Sequence, residues 1–247
     1  MGRATYDLFH EIFERNSIDD RGLRLDATVH YDVRYENAFW DGDQMIYGDG
    51  DGRLFNRFTL AIDVIAHELT HGIIQYEAGL IYHGESGALN ESFCDVFGSL
   101  VKQRSLNQTV DQADWLIGEG ILSKDAQGVA FRSLKAPGTA YNDPVLGRDI
   151  QPAHYAKLYR GTADDGGVHI NSGIPNHAFY LAAMAMGGYA WEKAGQIWYL
   201  ALTNGLRPRA NFRQAAKATI SIAAQVYGHD SQEQQAVRSA WQQVGVV

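Results

Sequence analysis

VIAHELTHGIIQY, residues 64–76, decides the reading of this chain. His67 and His71 stand four residues apart, so on a helix they lie one turn apart on one face. Two imidazoles placed that way reach a single ion at about 2.0–2.1 Å without strain. Glu68 follows the first histidine by about 100° of rotation. Its carboxylate then sits beside the position a catalytic zinc leaves open to water. A metal lowers the pKa of that water to about 7, and a neighbouring carboxylate can take the proton. The residues between the polar positions are apolar, which places the helix on an internal face.

A catalytic zinc needs a third protein ligand. The next helical segment, ALNESFCDVFGSLVKQRS (88–105), offers Glu91 and Asp95, again at i and i+4. Acids in an otherwise apolar helix demand partners. Glu91 as ligand, with Asp95 as acceptor for a ligand histidine, would supply them. A solvated acidic face is the alternative on spacing alone. Cys94, the only cysteine, reads as a small buried hydrophobe and excludes an intrachain disulfide.

Outward from these helices, residues 5–16 repeat apolar positions at helical spacing. Residues 24–47 are strand-like (LDATVHYDV, NAFW, QMIYG). DGDQMIYGDGDG (41–52) fits turns between strands, with an ion site as the alternative, although neither Asp41 nor Asp49 opens an EF-hand pattern. The periodicity predicts one helix over 59–78. Residues 123–168 form a long irregular stretch of the kind that often carries function. Helices are predicted at 171–186, 190–204, 211–227 and 231–243. The last two open with capping boxes, Asn211 with Gln214 and Ser231 with Gln234. The expected fold is α+β: a strand-rich N-terminal lobe, 1–76, ending in the HExxH helix, and a mainly helical lobe, 77–247, with the site in the cleft between.

A chain of 247 residues with 45% apolar content suits one large domain or two closely joined lobes. The charge of −8 argues against a nucleic-acid partner. No apolar run is long enough to span a membrane. The opening MGRATYDLFHEIFERNS has no apolar h-region and is not read as a signal peptide.

HELTH followed by NESFCD resembles the zinc signature of the thermolysin-like neutral metallopeptidases, the M4 family. ENAFWDGDQMIYGDGDG, GLIYHGESGALNESF and DDGGVHINSGIPN are similar to that family's segments, and the likeness runs from about Tyr6 to the C-terminus. RSLKAPGTAYNDPVLG and PAHYAKLY resemble the protealysin-like branch. The resemblance implies a zinc endopeptidase that cleaves before bulky apolar residues. His67, His71 and Glu91 would be the ligands and Glu68 the general base. Asp95 would orient His67, and Asn90 would support His71. Tyr82 and His169 would stabilise the oxyanion, with Asp164 holding His169 charged and oriented. Asn37 and Ala38 would bind substrate backbone, and Arg132 a substrate carbonyl. Phe55, Phe58, Val64, Ile117 and Phe131 would line the apolar pocket.

Two departures accompany the resemblance. The family's first strand region and propeptide have no counterpart here, which predicts exposed sheet edges. Asp63, Asp114 and Glu119 match carboxylates of the family's double calcium site, but Lys102 and Leu116 stand where it has acids. No double calcium cluster is expected, and a single ion is left open. Peptides or proteins are the expected partners, with a propeptide in a full-length precursor and a monomeric state. Secretion is expected, a cytoplasmic role being open for the protealysin-like branch. A zinc-holding inactive homologue and a calcium-dependent structural module are the competing readings.

Overall fold

The computed structural model describes residues 2–247. Helix α1 (Arg3–Phe13) leads into a three-stranded sheet. Its strands are β1 (Ala27–Thr28), β2 (Ala38–Trp40) and β3 (Met45–Tyr47), in the order β1-β3-β2. β1 runs parallel to β3 and β2 antiparallel to it. The strands are far shorter than the alternation in 24–47 predicts. After Thr28 the chain takes positive φ at His30, Asp32 and Arg34, which breaks the two-residue period. The acidic loop is built of turns: Asp41 accepts the N–H groups of Asp43 and Gln44, and Asp51 those of Arg53, Leu54 and Phe55.

A short 3₁₀ turn (Phe58–Leu60) delivers the chain to α2 (Ile62–Tyr76), and a brief loop leads to α3 (Gly84–Ser105). These two helices form the centre of the molecule. Asp63 faces Gly98, His67 meets Asp95, and His71 meets Asn90. As one number rises the other falls, so the helices are antiparallel. Gly98 makes the approach close: a Cβ there would lie 2.6 Å from the Asp63 carbonyl oxygen. Both helices are apolar on more than one side because both are surrounded by protein.

The irregular stretch carries two small ladders. β4 (Leu116–Ile117) pairs with β5 (Arg132–Ser133), and β6 (Asn142–Asp143) with β7 (Gly147–Arg148). The segment α4 (Ala163–Asn171) overlaps the end of the predicted loop; its residues 164–167 are left-handed, so right-handed helix begins at 168. Beyond it come α5 (Gly173–Met186), α6 (Lys193–Leu200) running into a π-turn (Ala201–Gly205), α7 (Phe212–Tyr227) and α8 (Gln232–Gln243). Asn211 and Gln214 form the predicted capping box. Ser231 caps Gln234, but the Gln234 side chain turns to the Asp230 N–H, so that box is half formed. Among the described residues, no helix is long and apolar enough to cross a membrane.

Candidate active site

The antiparallel register of α2 and α3 sets four side chains face to face. His67 Nδ1 lies 2.9 Å from Asp95 Oδ1, and His71 Nδ1 lies 2.8 Å from Asn90 Oδ1. Both partners are acceptors toward the rings, so each Nδ1 carries a proton and each Nε2 faces the other. Those two nitrogens lie 3.2 Å apart. Glu91 closes the triangle, with one oxygen 3.4 Å from His67 Nε2 and the other 3.5 Å from His71 Nε2. Glu91 Oε2 is buried and has no hydrogen-bond partner.

Two imidazole nitrogens and a carboxylate converge here. That arrangement fits a cation. The edge of a tetrahedron with bonds of about 2.0–2.1 Å is ~3.3 Å; the 3.2 Å between the two nitrogens matches it, and Glu91 turns one oxygen toward each. The local field agrees. Burial opposes a charge on His67, yet Asp95 and Glu91 outweigh it and lift the imidazole to about 10. Burial would raise Glu91, but His169, His67 and His71 hold it well below the usual carboxylate range. A site that favours positive charge and offers an ionised carboxylate and two imidazoles is suited to zinc, which would take the place of the His67 proton.

Cys94 Sγ also lies within 4.8 Å of the two imidazoles. Burial, then Glu91, Glu68 and Asp95, push its thiol pKa well up, so it stays protonated and is a poor ligand. Glu91 is the better third donor.

Asp95 is completely buried and fully engaged. Arg132 grips it with Nε and Nη2, both at 2.7 Å, and Asn176 Nδ2 donates at 2.8 Å. Burial would raise its pKa, but Arg132 and His67 hold it at about 2. Glu68 lies beside this cluster, facing the cleft, and among the described residues no donor holds its carboxylate. Tyr82 OH donates to Glu91 Oε1 and stands 3.1 Å from His169 Nε2. Asp164 takes the other side of that ring at 2.6 Å and the His169 N–H at 2.8 Å. Residues 164–167 all have positive φ, at 54, 47, 82 and 84°. Two glycines and two aspartates tolerate that conformation, and it turns the Asp164 carboxylate back onto His169.

The cleft is about 580 Å³ in volume, with Asn37, Ala38, Phe58, Val64, Phe131 and Arg132 among its walls. Phe55, Phe58 and Phe131 form an aromatic trio with ring centroids 5.8–6.1 Å apart, bordering an adjoining bay of about 330 Å³. Ile117 is not at the wall. It is fully buried, paired with Arg132 across β4 and β5. The Asp63, Asp114 and Glu119 cluster is filled by Lys102: its Nζ lies 2.6 Å from Asp114, 3.0 Å from Glu119 and 3.9 Å from Asp63.

Sequence reasoning missed Trp40 and Gln75, which close one end of the cleft through a 3.0 Å hydrogen bond. It also missed Asn176, a lone buried polar residue on apolar α5. That signal is the one that revealed Glu91 and Asp95 on α3.

The profile of the thermolysin metallopeptidase catalytic domain matches residues 1–75, and that of the family's α-helical domain matches 78–246. An extracellular metalloprotease of Pectobacterium carotovorum subsp. carotovorum is 56% identical over 244 residues, 98% of this chain and 70% of that protein. Protease PrtS of Photorhabdus sp. (strain Az29) is 52% identical over 246 residues, 98% of this chain and 66% of the relative. The chain spans 43% of the thermolysin of Alicyclobacillus acidocaldarius subsp. acidocaldarius, at 43% identity. The solved structure of the precursor of protealysin, a metalloproteinase from Serratia proteamaculans, superposes with a TM-score of 0.96 at 57% identity, covering 99% of this chain and 76% of that one. The chain belongs to the thermolysin metallopeptidase family, M4, and is a hydrolase of the metalloendopeptidase class. Within that family it stands near the protealysin branch.

Proposed function

We propose that this chain is a zinc-dependent endopeptidase that cleaves on the N-terminal side of bulky apolar residues, with His67, His71 and Glu91 as ligands. The observation that carries this is the triangle of Nε2, Nε2 and carboxylate, with Glu68 free beside it. Zinc bound there supplies Lewis acidity, lowering the pKa of an attacking water to about 7 and polarising the scissile carbonyl.

The chain's own residues do the rest. β2 is an edge of the sheet, so Asn37 and Ala38 can pair with an extended peptide laid along it. Phe55, Phe58 and Phe131 receive the side chain that follows the scissile bond. Arg132 binds the neighbouring carbonyl with the part of its guanidinium that Asp95 does not use. Glu68 takes a proton from water as its oxygen bonds to the carbonyl carbon. Glu68 then gives that proton to the leaving amine as the C–N bond breaks. Tyr82 and His169 donate to the oxygen that gains charge; one such donor is typically worth about 3–4 kcal/mol. No covalent acyl-enzyme forms.

An ammonium stands among Asp63, Asp114 and Glu119, and we assign Lys102 the part a calcium ion would otherwise play there. The likeness to the extracellular metalloprotease of Pectobacterium supports secretion, and the likeness to the precursor of protealysin supports a propeptide.

Metal analysis with a peptidase assay, with and without 1,10-phenanthroline, tests the reading. One zinc per chain and chelator-sensitive hydrolysis are expected. Glu68→Ala keeps the zinc and loses hydrolysis, because it removes the base and no ligand. Cleavage by that variant at near the parent rate would refute the mechanism. Zinc without hydrolysis in the parent would make the chain an inactive homologue.

A further inference from the structure

We infer that Gln151, in the irregular segment between β7 and α4, is a positioning residue that fixes the backbone of His169. This rests on the reading of His169 as an oxyanion donor. His169 lies just past the left-handed turn of 164–167, where right-handed helical conformation resumes and runs on through Ser172 into α5. Gln151 Nε2 donates to the His169 carbonyl oxygen at 2.6 Å. The other amide proton goes to Ser172 Oγ at 3.0 Å, and Ser172 donates to the same carbonyl at 2.9 Å. Three groups thus close a ring on one peptide unit. Asp164 holds the N–H of His169 from the other side, at 2.8 Å. The residue is clamped at both ends of its backbone.

Two further features support a dedicated role. Gln151 is buried, and its Oε1 has no partner. Gly173 opens α5 where a Cβ would lie 2.8 Å from the Pro152 carbonyl oxygen and 3.0 Å from Gln151 Cβ. The absence of a side chain there lets the 151–152 segment seat against the helix. Oxyanion donors act only when held within about 0.5 Å of the productive position. Gln151 therefore controls the aim of His169 through its backbone.

Gln151→Leu removes both donors with a side chain one atom shorter. We expect kcat to fall about tenfold, in line with the cost of a sub-ångström misplacement, with KM and zinc content little changed. Ser172→Ala, a smaller lesion, gives the same pattern more weakly. In a His169→Ala background neither substitution lowers kcat further, because no imidazole is left to misplace. An equal loss in both backgrounds would mean Gln151 acts on the fold, and the proposal falls. An unchanged kcat for Gln151→Leu in the parent also overturns it. If His169→Ala itself leaves kcat intact, the oxyanion reading fails first.

Discussion

Glu91 is the residue on which the site turns. It is buried, ionised and flanked by two imidazole nitrogens, and its Oε2 meets no hydrogen-bond donor. Around it, Tyr82 and His169 stand within hydrogen-bond reach of each other and of the cleft. Under the proposed mechanism their contact with substrate would strengthen as charge develops on the carbonyl oxygen, so they would act on the transition state. His169→Ala is expected to lower kcat about 10²-fold and to change KM by less than about threefold. Steady-state kinetics on an apolar peptide checks this, and a loss confined to KM would make His169 a ground-state binder. At this scale the residues themselves revealed His67, Glu68 and His71 by spacing, and Glu91 and Asp95 by their isolation in an apolar helix. Tyr82 and His169 have no such local mark, because one lies in a loop and the other at a helix junction. Their promotion came from family likeness.

At the scale of elements, Lys102 ties the end of α3 to the start of α2 and to the 114–119 loop. It stands among three carboxylates, of which Asp63 is fully buried. Burial raises Asp63 to about 6, with Lys102 and the Gly118 N–H pulling the other way. Between about pH 4 and 6 the folded state keeps a proton on Asp63 that the unfolded chain has lost. Stability on this account declines as pH rises through that window. Lys102→Met removes the opposing charge, so the decline should steepen and extend above pH 6. At neutral pH the loss should be about 2–4 kcal/mol, near the cost of breaking a buried pair but reduced by the exposure of Glu119. Added calcium should recover part of it in the variant and little in the parent. Thermal unfolding across pH 4–8, with and without calcium, measures this; equal calcium stabilisation of both proteins would sink the substitution argument. The short sheet belongs to this scale too. Alternation in 24–47 predicts long strands, but left-handed residues after Thr28 end β1 early.

In the whole molecule, the proposed ligands come from two antiparallel helices, and their partners reach further. Asp95 on α3 joins His67 on α2, Arg132 on β5 and Asn176 on α5. An ion bound to this cluster binds the folded state and not the unfolded chain. At a thousandfold excess over Kd it would stabilise by about 4 kcal/mol, or roughly 8–16 °C in a chain of this size. Chelation should therefore lower Tm as well as activity, and Glu91→Gln should shrink the chelator-dependent shift. Calorimetry that shows lost activity at unchanged Tm would place the metal elsewhere.

The sequence by itself determined what a single helix can hold. His67, Glu68 and His71 are bound together by the 3.6-residue period, and the same period sets Glu91 with Asp95 on the next helix. The α+β plan and most helices follow from apolar spacing and caps. The tertiary structure decided what periodicity cannot carry across a long stretch of chain. It set the antiparallel register that brings Glu91 to the two imidazoles, the left-handed turn that returns Asp164 to His169, and the placing of Lys102 among carboxylates. It also buried Ile117 away from the cleft and raised Asn176 and Gln151 to supporting roles. Local spacing constrains neighbours within a turn or two, whereas contacts between distant segments exist only once packing has chosen which helix faces which.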